Sequence, residues 1–196
     1  MTPTPIGPGA FVAVVGASGV GKDALITYAH DRTPDTVRYP RRTVTRPSGP
    51  GEDHDPLDPD AFATAARTGA FAVHWHAHGL DYGISAQVDE DVLAGMTVVA
   101  NVSRGVLGVL AERYARLVVV CVTVPDAVRA ERLLARRRES GDAVTARLER
   151  PDPAPDHQVD VEIRNDGPLE VGGEAMLAAV LRAHAGARST ASGGSR

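Results

Sequence analysis

Sulfur chemistry is nearly absent from this chain. Its 196 residues include one cysteine, Cys121, so no disulfide can close within it, which points to a reducing, cytoplasmic setting. Long hydrophobic runs are missing too: none reaches the ~18 residues that a membrane span needs. The opening MTPTPIGPGA lacks a basic stretch followed by an apolar one. It reads as a flexible lead-in over residues 1–9 and not as a signal peptide. Charge of one sign is scarce. A net charge of −4 argues against nucleic-acid or anionic-membrane binding through overall charge, while leaving room for a local basic cleft. No internal repeat is visible. What is present is ordinary core material: 43% of residues are hydrophobic, too many for global disorder. The length suits one domain with, at most, a mobile subdomain.

Along the chain, apolar runs alternate with helical patterns. Phe11–Val15 reads as a strand and Lys22–His30 as a helix, with a Gly-rich turn between them. TVRYPRRTVTRP is basic and β-branched; SGPGEDHDPLDPD is acidic and turn-rich. Ala61–Thr68 predicts a short helix closed by Gly69, AFAVHWHAHGLDYGI a strand–turn–strand, and Val88–Leu93 another short helix. Met96–Val102 and Arg116–Val124 are near-continuous apolar runs, as in buried parallel strands. A helix over SRGVLGVLAERYA separates them. A long charged helical region follows, broken near Ser140–Gly141. QVDVEIRND predicts a last strand, and Leu169 to about His184 a last helix, before a disordered tail at 186–196. Strands alternating with helices predict an α/β fold with a mainly parallel central sheet flanked by helices. Ligands of such sheets sit at the carboxyl ends of the strands, where the Gly-rich turn lies.

That turn fills the pattern G-x-x-x-x-G-K with Gly16, Ala17, Ser18, Gly19, Val20, Gly21 and Lys22. Glycines let the backbone curl so that amide N–H groups converge on phosphate oxygens. The following helix adds its dipole, and the lysine reaches the β- and γ-phosphates. The usual next residue is Ser or Thr; here it is Asp23. A carboxylate there either reaches a magnesium ion, directly or through water, or only caps the helix start. In an extended strand Arg42, Val44 and Arg46 share one face, with Arg41, Thr43 and Thr45 opposite. Two arginines on one face form a clamp for a phosphate. His74, His76 and His78 also alternate. Without a Cys or a clear fourth partner they make a poor zinc site, and a hydrogen bond to substrate or a solvated face suits them better. The arginine-rich run ERLLARRRESGDAVTARLER is either a solvated helix face or a lid that closes over a nucleotide.

The loop, TVTRP followed by GED, GAFAVHWHAHGLDYGI, RLLARRRE and ARL together resemble the guanylate-kinase-like group of phosphate-loop kinases, over about residues 10–183. The resemblance implies a phosphate-loop, nucleoside-monophosphate-kinase-like domain at about 10–185. It carries a substrate-binding insert near 38–90 and an Arg-rich lid near 132–150, with Arg136 and Arg147 as its working arginines. Departures decide the acceptor. Guanylate kinases carry TTR-x-P-R; Arg46 matches the first arginine and Gly49 takes the place of the second. Arg42 stands where those enzymes place a Ser against guanine. Their guanine-reading Glu is absent from AVHW, and their L-D-x-D strand becomes VANVS around Asn101 and Ser103.

GKD, RRTVTRP, GEDH, HGLxYGI and NVSR resemble instead the ribose 1,5-bisphosphate phosphokinase family of phosphonate degradation, where Asp after the loop lysine is normal. This implies transfer of the γ-phosphoryl group of ATP, with Mg2+, to the 1-phosphate of ribose 1,5-bisphosphate, giving 5-phosphoribosyl 1-diphosphate and ADP. An acceptor with two phosphates and no base calls for more cations and fewer base-reading carboxylates, as found here. Expected acceptor contacts are Arg42, Arg46, Glu52, Asp53, His78, Tyr82 and Arg104. Asn165 and Asp166 are expected beside the adenine, and Asp23 at the metal. Two alternatives stay open: a guanylate kinase or other nucleoside-monophosphate kinase, and a catalytically inactive guanylate-kinase-like binding domain. The expected partners are small molecules, a sugar phosphate and ATP, without nucleic acid or membrane; oligomeric state is not read from the sequence.

Overall fold

The computed structural model describes residues 4–48, 53–135 and 157–192. Strand β1 (Ala10–Val15) runs into the Gly-rich turn and then helix α1 (Lys22–His30). β2 (Val37–Arg38), β3 (Arg42–Val44) and β4 (His54–Pro56) are short. Helix α2 (Pro59–Arg67), β5 (Phe71–Ala77), β6 (Leu80–Ser85), α3 (Gln87–Leu93) and β7 (Thr97–Asn101) follow. A 3-10 turn at Arg104–Val106 leads into α4 (Leu107–Arg113), then β8 (Leu117–Thr123) and α5 (Asp126–Ala135). The last described elements are β9 (Val161–Arg164) and α6 (Leu169–Ser192).

The main sheet has the order β2-β7-β1-β8-β9 and is parallel at every pairing. Its apolar runs are continuous because both faces are covered. Phe11, Ala13 and Val15 of β1 join Val88, Val92, Leu107 and Leu110 on one side. Val12 and Val14 join Leu25, Ala29, Met176 and Val180 on the other. All six β1 residues are buried. At roughly 1.5–3 kcal/mol for each fully buried Val or Phe, this strand is a major share of the core.

A second, four-stranded sheet has the order β4-β3-β6-β5. Its β5–β6 hairpin turns on His78 and Gly79, with φ of +55° and +73°. Positive φ at both residues of a two-residue loop is the type I′ turn that matches strand twist. Helix α2 starts before Ala61, earlier than the apolar pattern alone predicts. The reason is its cap: the Asp58 carboxylate accepts from the Asp60 and Ala61 amides, with Pro59 in the first turn.

Both chain ends differ from expectation. Within the flexible lead-in expected at 1–9, Ile6 donates to the Arg113 carbonyl and accepts from Ala115, and it packs on the core. An apolar side chain able to bury itself outweighs the turn-forming residues around it. At the other end α6 runs through the expected tail to Ser192, and Ala187 is buried. Among the described residues no helix is long and apolar enough to cross a membrane.

Candidate active site

The loop Gly16–Lys22 leaves the carboxyl end of β1 at the centre of the parallel sheet. Gly16, Gly19 and Gly21 all have positive φ. A Cβ on Gly16 would sit 2.3 Å from the Val122 carbonyl, and one on Gly21 2.5 Å from Asn165 Nδ2. Only glycine fits either place. The loop's carbonyls are held from behind. Arg129 donates to the Ser18 carbonyl (3.1 Å), and Asn165 Nδ2 (2.8 Å) and Arg132 (3.3 Å) donate to that of Val20. Arg132 also donates to the Asn165 carbonyl (2.8 Å). In a planar trans peptide the C=O and the following N–H point in opposite directions. Tying Ser18 and Val20 backwards therefore aims the Gly19 and Gly21 amides forwards.

Lys22, the only lysine in the chain, folds over the loop and donates to the carbonyls of Gly16 (2.6 Å) and Ala17 (3.1 Å). Burial pushes its amine down to about 8; Asp23 opposes this, and Arg42 and Arg104 add to it. Burial and neighbouring cations thus act on the Lys22 amine in the same direction.

Asp23 does not cap α1: Gly21 occupies the N-cap with no side-chain bond. Instead Asp23 Oδ1 accepts from Asn101 Nδ2 (2.7 Å), at the carboxyl end of β7, and lies 3.5 Å from the Arg42 guanidinium. Arg42 reaches it from the small sheet. Residues directly opposed in a sheet share a face. The register sets Arg42 beside Ile84, and Val44 beside Tyr82 and then Trp75. Ile84, Val73 and Trp75 pack on the main core, so this face looks inward. Tyr82 stacks on Trp75 with ring centroids 5.5 Å apart. Arg46 is half-buried, and His54 Nε2 donates to its carbonyl (3.2 Å). Arg104, on the turn after β7, donates to Cys121 Sγ (2.9 Å).

Other expected contacts are placed elsewhere. Asp53 pairs with Arg41 (2.7 Å) and its side chain is 83% exposed, so it sits on the outer surface. Asn165 is buried behind the loop, where its amide braces the Val20 carbonyl. Asp166 is exposed and pairs with Arg164 (2.5 Å). His78 stands exposed at the hairpin tip. His74 lies against the Phe62 and Phe71 rings under α2, and His76 pairs with Asp81 (2.8 Å). These two occupy the face opposite Arg42, and among the described residues no three metal-ligating side chains converge. Glu52, Arg136 and Arg147 lie outside the described residues. Sequence reasoning missed Arg129 and Arg132. Their three-residue spacing on α5 puts them on one helix face, but nothing local says that the loop lies there.

No family model matches the chain. The solved structure of guanylate kinase from Anaplasma phagocytophilum matches with a TM-score of 0.61, covering 93% of this chain and 88% of that one at 18% identity. Fold and loop thus define a phosphate-loop kinase fold of the guanylate-kinase type. At the sequence level, ribose 1,5-bisphosphate phosphokinase PhnN of Pseudofrankia inefficax is 60% identical over 178 residues, 91% of this chain and 94% of that protein. The PhnN protein of Chelativorans sp. is 44% identical over 191 residues, 93% and 90% of the two chains. The chain belongs to the ribose 1,5-bisphosphate phosphokinase family.

Proposed function

We propose that the chain transfers the γ-phosphoryl group of ATP to the 1-phosphate of ribose 1,5-bisphosphate. The bond from the γ-phosphorus to the β-phosphate oxygen breaks, a bond to a 1-phosphate oxygen forms, and 5-phosphoribosyl 1-diphosphate and ADP leave. The carrying observation is that Arg42 and Arg104 stand near enough to the Lys22 amine to lower its pKa by their charge, in a chain 60% identical to a PhnN protein. Such a site suits an acceptor that is anionic and has no base to read.

The acceptor oxygen is already ionised at neutral pH, so no general base is needed. Catalysis comes from positioning and charge neutralisation. The amides of Gly16–Lys22 and the Lys22 amine hold the donor phosphates. Arg42 and Arg46 grip a phosphate of the acceptor, with Arg104 beside them. Tyr82 offers its ring to the sugar. Asp23 fits a magnesium ion: its side chain is 70% exposed, and magnesium takes one or two carboxylates, keeping water and substrate phosphates for its other positions. When bound, the ion neutralises charge on the β- and γ-phosphates. The setting we propose is cytoplasmic, within phosphonate breakdown, and the kinase unit spans about residues 10–185 with its acceptor insert near 38–90.

The test offers GMP and ribose 1,5-bisphosphate in parallel, with ATP and magnesium, and follows ADP and the phosphorylated product. Product from ribose 1,5-bisphosphate alone is expected. Product from GMP alone overturns the acceptor reading, and turnover of neither leaves the acceptor misnamed.

A further inference from the structure

The Asp23–Asn101 contact joins the residue after the loop lysine to the end of the neighbouring strand. In phosphate-loop enzymes these two places share the metal: a Ser or Thr hydroxyl follows the lysine, and a carboxylate stands on a nearby strand. Here the carboxylate follows the lysine and the neutral side chain ends β7. The two still touch, at 2.7 Å. The inventory of one carboxylate and one neutral polar group is unchanged, and its distribution is reversed.

We propose that Asp23 and Asn101 are a role-exchanged metal pair: Asp23 supplies the carboxylate that the strand usually gives, and Asn101 orients it. The chemistry of the contact agrees. Asn101 is buried, and its Nδ2 can only donate, so its partner must be an acceptor; here that acceptor is Asp23 Oδ1, which it holds in place. Arg42 approaches the same Oδ1. Among the described residues both contacts use Oδ1, which leaves Oδ2 for a metal or its water. An aspartate at position 101 would replace the Nδ2 donor that holds Asp23 Oδ1 with a second acceptor, and a neutral residue at both positions would leave the metal without a carboxylate. Either single change should therefore fail, whereas the double exchange should recover. The inference rests on the phosphate-loop reading and is independent of the acceptor.

The experiment is a cycle of wild type, Asp23→Thr, Asn101→Asp and the double variant, with Asp23→Asn as a neutral change of the same shape. The probe is Mn2+ binding to the ADP complex, followed by the spin-resonance signal of free Mn2+; initial rates with ATP are a second readout. Both single variants and Asp23→Asn should weaken Mn2+ by roughly tenfold or more, and the double variant should regain at least that factor over the product of the singles. Circular dichroism confirms that each variant is folded. If one single variant melts, Asp23→Asn carries the test of the carboxylate. Additive losses, or Mn2+ affinity unchanged in Asp23→Asn, overturn the inference while nucleotide binding stands. A wild-type chain that binds no ADP overturns the phosphate-loop reading along with it.

Discussion

The two banks of the proposed site are built differently. The donor bank is one continuous turn on the central strand of a parallel sheet, its glycines in conformations that other residues resist and its carbonyls tied back by Arg129, Arg132 and Asn165. The acceptor bank is a short-stranded sheet whose β3 and β4 are each 3 residues long, and its cations are set by strand register and ion pairs. The first grips with backbone that cannot rearrange cheaply; the second presents side chains that can be exchanged. A fold of this type can thus keep its donor while changing its acceptor, and the substitutions fall accordingly. Arg42 is added and the guanine-reading carboxylate is missing, while Gly16, Gly21 and Lys22 stand as the loop requires.

Removing the donor charge should do most harm. Lys22→Ala takes away the one lysine amine of the chain, which we place at the transferred phosphates. We expect turnover to fall by roughly two to three orders of magnitude, the cost of one preorganised group at a transition state. The far-UV circular dichroism should match wild type. Near-normal rates in the purified variant would remove the donor bank from the mechanism.

The acceptor arginines sharpen the contrast. Arg46→Ala should raise the KM for ribose 1,5-bisphosphate roughly ten- to hundredfold, the worth of one charged hydrogen-bonding group. The KM for ATP should move far less. Arg42→Ala should disturb both constants, because Arg42 also touches Asp23 on the donor bank. A change confined to ATP in Arg46→Ala would mean that the banks are assigned the wrong way round.

How much of this was legible follows the same division. The Gly16–Lys22 loop was readable because its geometry is dictated by residues adjacent in the chain. Its supports were not. Arg129 lies 111 residues from Ser18, and Asn165 lies 145 from Val20. Sequence placed Asn165 correctly after the last strand, yet misjudged its side chain, since a buried amide turned backwards and an exposed one turned forwards have the same local signature. Strand alternation was a fair guide to Arg42 and Val44, but β3 ends at Val44 and Arg46 lies on the bend beyond it, where alternation no longer assigns a face. Alternation also put His78 on the row of His74 and His76, but it ends at the hairpin turn, where His78 takes a positive φ. Asp53 lay in an acidic stretch beside the motif, and only the pairing of β3 with β4 reveals that Arg41 draws that stretch outward.

A smaller effect concerns proton binding on the donor bank. Folding lowers the Lys22 amine from 10.5 to about 8. Between those values the unfolded chain holds more protons than the folded one, so the contribution of Lys22 to stability rises with pH across that window. Below pH 8 both states are protonated and the full penalty for burying the charge is present. The melting temperature of the ligand-free chain should therefore gain a component between pH 8 and 10 that Lys22→Met lacks. As the only lysine, Lys22 should also be the one side-chain amine acylated by a mild reagent at pH 8.5, and ADP should protect it. Mass spectrometry that finds Lys22 unmodified without ADP, or equal labelling with and without it, would contradict the placement of the amine at the phosphates.

The smallest expected effect lies at the outer edge of the acceptor bank. Asp53 belongs by sequence to the segment from which sugar contacts were expected, but its partner is Arg41 at the surface. An ion pair this exposed is worth about 0–1 kcal/mol. Asp53→Asn should leave both KM values and turnover within about twofold of wild type, and the melting temperature nearly unchanged. Arg41 retains Asp55 at 3.3 Å and the His54 carbonyl at 3.2 Å, so β3 and β4 stay joined. A large rise in the KM for ribose 1,5-bisphosphate would mean that Asp53 leaves Arg41 when substrate binds. The acceptor bank would then assemble around its ligand instead of standing ready, which is the one behaviour that the donor bank, with its carbonyls already tied back, does not share.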